Sequence, residues 1–90
     1  MGEGVEQQLR AEADHCYEWS NGPHARYGVH DHPYRKILYV AKGSITFTPA
    51  GGPPILMGQG DRLDLPAGTL HGAVVGEQGV VCWEGQAKRS

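Results

Sequence analysis

Three histidines are the residues of this 90-residue chain best suited to chemistry. His30 and His32 are separated by one residue, and His71 follows well downstream. In an extended strand, residues two apart share a face, so the first two imidazoles can point to one place and His71 can supply a third. Imidazole is the commonest metal ligand in proteins, and three of them leave coordination positions open for water or substrate. The pattern therefore predicts a mononuclear metal site made by His30, His32 and His71.

The residues around these histidines form two spaced motifs. The first is HDHPYRKILYVAKG at 30–43, and the second is GDRLDLPAGTLH at 60–71. Together they resemble the motifs of the cupin family, in which a histidine pair, a glutamate and a glycine are followed by GxxxxxPxGxxH. The resemblance implies an all-β fold, a double-stranded β-helix or jelly-roll barrel. It also implies that such a barrel can hold a metal and that cupins of this kind frequently pair as homodimers.

Three positions depart from the family pattern. Lys36 stands where the family carries its glutamate ligand, His24 where it carries a glycine, and Val75 where it carries an asparagine. The lysine matters most, because an ammonium group repels a divalent cation. It must turn away, lose its proton, or hold an anion that bridges to the metal. The alternative is a lysine that reaches solvent near the barrel mouth.

The predicted metal pocket would carry positive charge. Three neutral nitrogen ligands suit a divalent transition metal, and the sequence leaves iron, copper, nickel and zinc open. Arg26 shares a face with His30 if that strand is regular, whereas a bulge at Gly28 would redirect it. Lys36 and Arg26 are therefore the predicted substrate-binding residues, and a small anionic molecule such as a carboxylate or enolate is the expected ligand.

Two function classes follow from this site. The first is a metal-binding small cupin of unspecified activity that binds or acts on a small anion. The second is a non-catalytic module that binds or senses a small molecule without an occupied metal. The resemblance adds an iron dioxygenase-like enzyme with three histidine ligands, because some cupins have that activity. No nucleophile constellation, phosphate loop or pair of carboxylates competes with the histidines, and catalytic residues stay unassigned.

Short β-branched and aromatic runs between glycines and prolines predict eight strands. The segments 50–53 and 75–79 are the predicted hairpin connections, because glycine and proline supply turn geometry. The segment 36–42 is apolar on both faces and so needs a cover on each. Residues 1–14, as a short helix or a strand, or a second copy of the chain would provide it, and a homodimer is the predicted assembly. The eight predicted strands are 16–20, 25–32, 36–42, 44–48, 54–57, 61–65, 70–75 and 80–84.

Length, charge and composition indicate the number of domains, the classes of partner and the cellular location. The chain predicts one domain, 1–90, with a flexible tail at 86–90. A net charge of −2 without a basic tract argues against a nucleic-acid or membrane partner. No apolar run is long enough to span a bilayer, and the acidic start lacks a secretory pattern, so a cytoplasmic location is expected. Cys16 and Cys82 are predicted to be free thiols.

Overall fold

The computed structural model describes residues 2–88 as one helix followed by six strands. All the strand pairings are antiparallel. This arrangement confirms the predicted all-β fold class. The elements are α1 (Gly2–Glu12), β1 (Ala13–Asn21), β2 (Arg26–His30), β3 (Lys36–Pro49), β4 (Ile55–Gly58), β5 (Arg62–Leu65) and β6 (His71–Ala87).

The two long strands β3 and β6 organise the sheet. They pair from Lys36 opposite Gln86 to Pro49 opposite His71. β1 and β2 pair with β6, and β4 and β5 pair with β3. The turn predicted at 50–53 is confirmed. The connection predicted at 75–79 is wrong, because β6 runs through this segment without a break.

Glycines bend the long strands rather than end them. Gly43 in β3 and Gly79 in β6 have φ angles of +79° and +77°. A Cβ on Gly43 would lie 2.1 Å from the carbonyl oxygen of Gly79, so the two backbones meet at a distance that only glycine allows. The pairing register also shifts on either side of Gly43. A bend of this kind uses the same residue type as a turn, which is why four predicted strands merge into two.

The close approach at Gly43 makes a testable prediction. Gly51 has a similar φ of +76°, but a Cβ there would meet nothing within 4 Å. We expect Gly51→Ala to lower the free energy of unfolding by about 1–2 kcal/mol, the cost of a left-handed alanine. Gly43→Ala should cost clearly more, because the Cβ also collides with Gly79. Urea denaturation of both variants measures the difference, and equal losses would show that the strands separate without penalty.

β3 separates two hydrophobic cores. Leu38 and Val40 point into the barrel, whereas Ile37 and Tyr39 point outward and are also buried. The prediction that both faces of 36–42 are buried is therefore confirmed. The outer cover is the helix α1, which packs through Val5 and Leu9. The homodimer stays a prediction.

Polar contacts fix the end of the covering helix. The carboxylate of Glu12 accepts hydrogen bonds from Arg62 Nη2 at 2.6 Å and from the hydroxyl of Tyr39. The Arg62 guanidinium is the main cause of a lowered pKa of Glu12, so the carboxylate stays ionised where it meets the barrel. The helix is thus anchored to two strands, β3 and β5.

The contribution of α1 can be measured at Leu9, which is fully buried. Leu9→Ala should lower the free energy of unfolding by about 2–5 kcal/mol, because it removes packed atoms and leaves a cavity. Leu56 is a matched control with 77% of its surface exposed. Leu56→Ala should change stability by less than about 0.5 kcal/mol. Equal effects in thermal or urea unfolding would mean that α1 does not pack on the barrel in solution.

The remaining sequence predictions concern the thiols and the chain ends. Cys16 and Cys82 are free thiols, as predicted. Burial raises the pKa of Cys82 to about 12, so this thiol behaves as a small core residue. β6 continues to Ala87, into the predicted tail at 86–90, of which residues 89 and 90 lie outside the described part. Within residues 2–88, no helix has the length and apolar composition needed to cross a bilayer.

Candidate metal centre

Two neighbouring strands and one loop bring the histidines together. His30 ends β2, His71 begins β6, and the two are direct cross-strand partners. His32 lies in the loop after β2, and its carbonyl accepts a 2.8 Å hydrogen bond from the backbone N–H of Gly68. One nitrogen from each ring lies within 4.8 Å of the others. The two sequence motifs therefore meet at one point, held by backbone contacts.

Backbone carbonyls orient two of the rings. Nδ1 of His30 lies 2.7 Å from the carbonyl oxygen of Gly28, and Nδ1 of His71 lies 2.8 Å from that of Thr69. A carbonyl can only accept a hydrogen bond, so in the neutral ring Nδ1 carries the proton and Nε2 keeps its lone pair. This tautomer leaves Nε2 free to bind a metal.

Two of the three Nε2 atoms are buried without a protein partner in the described part of the chain. Nε2 of His32 and Nε2 of His71 are buried and accept no hydrogen bond within residues 2–88. A buried polar atom left unpaired costs about 1–3 kcal/mol. Burial lowers the pKa of both rings, and the nearby Lys36 ammonium lowers it further, which favours the neutral form that a metal requires. The donor set therefore fits a divalent transition metal.

The three histidines line a cavity of about 310 Å³. Phe47 and Ala73 add apolar surface beside them. Trp19 and Tyr27 pack edge to face, with ring centroids 5.6 Å apart. The cavity is thus a small pocket with polar and aromatic walls. The other lining residues are Tyr17, Ser20, Asn21, Lys36 and Glu84.

Lys36 is buried beside this cavity and forms an ion pair. It is 6% exposed, and its ammonium lies 3.3 Å from Oε1 of Glu84, which is 4% exposed. Glu84 also accepts hydrogen bonds from Trp19 Nε1 at 2.7 Å and from the Tyr17 hydroxyl at 2.8 Å. The solvent-reaching alternative for Lys36 is therefore wrong. A carboxylate balances the lysine charge inside the barrel.

The sequence reasoning missed Glu84. Val80, Cys82 and Glu84 alternate along β6, and the first two belong to the barrel core. Glu84 lies opposite Leu38, another core residue. A carboxylate in phase with core residues must enter the barrel and needs a partner there. That signal was hidden because both faces of 80–84 carry apolar residues.

Arg26 lies apart from this group. The pairing of β2 with β6 shifts between Tyr27 and His30, so the bulge considered at Gly28 is present. The bulge places Tyr27 in the cavity lining together with His30, and Arg26 is exposed. Of the two predicted cationic residues, the structure brings Lys36 to the histidines and leaves Arg26 on the surface.

The family model described as the cupin domain matches residues 17–83, which contain both motifs and all three histidines. The chain belongs to the cupin family. A comparison with curated protein sequences gives no match. The jelly-roll barrel expected from the motifs is therefore the fold of this cupin.

Solved structures with the same fold include proteins of several kinds. DMSP lyase DddQ from Ruegeria pomeroyi is 22% identical with a TM-score of 0.72, over 83% of this cupin and 39% of that chain. A cupin-like protein from Thermotoga maritima is 24% identical with a TM-score of 0.74, over 82% and 56%. KdgF from a Halomonas species is 25% identical with a TM-score of 0.69, over 82% and 69%. This cupin thus spans 39% of the first of these chains and 56% of the second.

The Lys36–Glu84 pair makes a prediction about stability. Lys36→Met should cost about 3–5 kcal/mol of unfolding free energy, because it leaves the Glu84 carboxylate buried without its cation. Glu84→Gln should also destabilise. The charge-matched double variant Lys36→Met/Glu84→Gln should lose less than the sum of the two, since it leaves neither charge buried without its partner. The amide oxygen can accept from Trp19 while the amide nitrogen donates to the Tyr17 hydroxyl. Urea denaturation of the four proteins gives the coupling energy, and strict additivity would mean that the pair contributes nothing.

Proposed function

We propose that this cupin holds one transition-metal ion through Nε2 of His30, His32 and His71 and binds a small anionic molecule beside it. The observation that carries the proposal is the convergence of three imidazoles around buried nitrogens that no protein group satisfies. In a protein interior, such atoms normally have a partner. A metal ion gives a partner to every one of them.

The charge of the site supports an anionic ligand. The imidazoles are neutral as ligands, and Lys36 and Glu84 cancel each other. The protein therefore leaves the charge of a divalent ion unbalanced, and an anion that enters the cavity would neutralise it. When bound, the ion supplies Lewis acidity toward an oxygen atom of that ligand.

The proposed function is metal-dependent binding of a small anion. The related structures are named as a DMSP lyase, a cupin-like protein and KdgF, so the shared barrel does not select one reaction. The donor set favours iron, copper, nickel or zinc over magnesium or calcium, because neutral nitrogen ligands suit the former group.

Metal titration tests the proposal directly. Untagged protein should bind one equivalent of zinc in calorimetry. His71→Ala should weaken zinc binding by about 100-fold or more, because loss of a residue that only orients a ligand already costs about 10–100-fold and His71 is a proposed ligand itself. His24→Gly is the control, because His24 is exposed and lies outside the cluster. This variant removes an imidazole but keeps His30, His32 and His71, so its zinc affinity should match that of wild type.

Failure to take up zinc, nickel, copper or iron would overturn the proposal. That result would favour the alternative of a small-molecule binding module without metal. Equal zinc affinity in His71→Ala and wild type would show that the metal binds somewhere else.

A further inference from the structure

Lys36 presents hydrogen-bond donors that its partner does not use. An ammonium group has three N–H donors, and within residues 2–88 the structure gives Lys36 one carboxylate partner, at 3.3 Å. The neighbouring donors, Trp19 Nε1 and the Tyr17 hydroxyl, are both spent on Glu84. Lys36 therefore has N–H donors to offer to a ligand in the cavity.

Glu84, by contrast, is already engaged. Its Oε1 faces both Trp19 and Lys36, and its Oε2 accepts from Tyr17. Burial and the Glu84 carboxylate raise the pKa of Tyr17, so the phenol keeps the proton that it donates. Three groups thus hold the carboxylate in place, and the carboxylate in turn holds the ammonium. Glu84 acts here as a support for Lys36 and not as a site for a cationic ligand.

The histidine cluster and Lys36 line the same small cavity. Apolar surface from Phe47 and Ala73 also lines it, which suits a short carbon chain. A ligand that meets both polar groups needs one anionic oxygen group for each. A dianion can place one anionic group at the divalent ion and the other at the unused N–H donors of Lys36. A monoanion leaves either the ion or the ammonium without an anionic partner.

We infer that the cavity selects small dicarboxylates, with one carboxylate at the metal and the second at the Lys36 ammonium. Glu84, Tyr17 and Trp19 are positioning residues that hold this ammonium. The first attachment rests on the proposed function. The second rests on the burial, the ion pair and the spare donors of Lys36.

The test compares each dicarboxylate with its monomethyl ester, which has nearly the same size but a masked second carboxylate. Malonate, succinate and their monomethyl esters are titrated into zinc-loaded protein by calorimetry. We expect at least one dicarboxylate to bind about tenfold or more tightly than its ester, the effect of one charge-assisted hydrogen-bonded contact. A ratio near one for both pairs would overturn the inference.

The charge-matched variant Lys36→Met/Glu84→Gln then separates Lys36 from simple chelation by the metal. It removes one positive and one negative charge, so the net charge of the cavity is unchanged while the ammonium donors are lost. The ratio of dicarboxylate to ester affinity should fall to near one. Zinc affinity should stay within about threefold of wild type, because the variant keeps all three histidine ligands. If circular dichroism shows that this variant is unfolded, the equally charge-matched Lys36→Gln/Glu84→Gln is measured in its place with the same criterion.

Arg26→Met is the control, because it removes an exposed cation that lies outside the cavity lining. It should retain the wild-type preference for the dicarboxylate. An unchanged ratio in the variant lacking Lys36, or an equal loss in Arg26→Met, would overturn the role of the ammonium and leave the metal site intact. Absence of zinc binding in wild type is a different result, and it would overturn the proposed function and this inference with it.

Discussion

The antiparallel pairing between β3 and β6 is the interaction on which the rest of the structure depends. Every other strand pairs with one of these two, and the helix α1 packs on the outer face of β3. The site depends on it as well, because Lys36 begins β3 while His71 and Glu84 belong to β6. A chain of 90 residues has little surface to bury, so two long bent strands serve both as framework and as the walls of the cavity.

Much of this arrangement could be predicted from strand periodicity and motif spacing. The alternation in 36–42 correctly assigned Leu38 and Ile37 to different buried faces, since side chains alternate on any strand. The histidine cluster followed from the same rule and from the two motifs. The bends at Gly43 and Gly79 could not be predicted from the sequence, because glycine is common both in turns and where two backbones approach closely. Whether α1 or a second copy covers β3 also depends on tertiary packing, which local sequence does not encode.

The partner of Lys36 shows a second limit of sequence reasoning. The residue types suggested a cavity with cations and no carboxylate, yet Glu84 enters from β6 and cancels the lysine charge. Such a pairing joins residues far apart in the chain through strand register, so neither neighbourhood reveals it alone. Relative to the usual cupin pattern, a carboxylate is present in the cavity but comes from a different strand and neutralises a lysine. The charge of a bound metal is thereby left for the ligand to balance.

The hydrogen bond from the Gly68 amide to the His32 carbonyl joins the turn before His71 to the loop that carries His32. The two loops cannot separate at this point unless this bond breaks. Exchange of the Gly68 amide proton with solvent deuterium therefore records each event in which the two loops part. The protection factor of this one amide measures the free energy needed to separate the two loops.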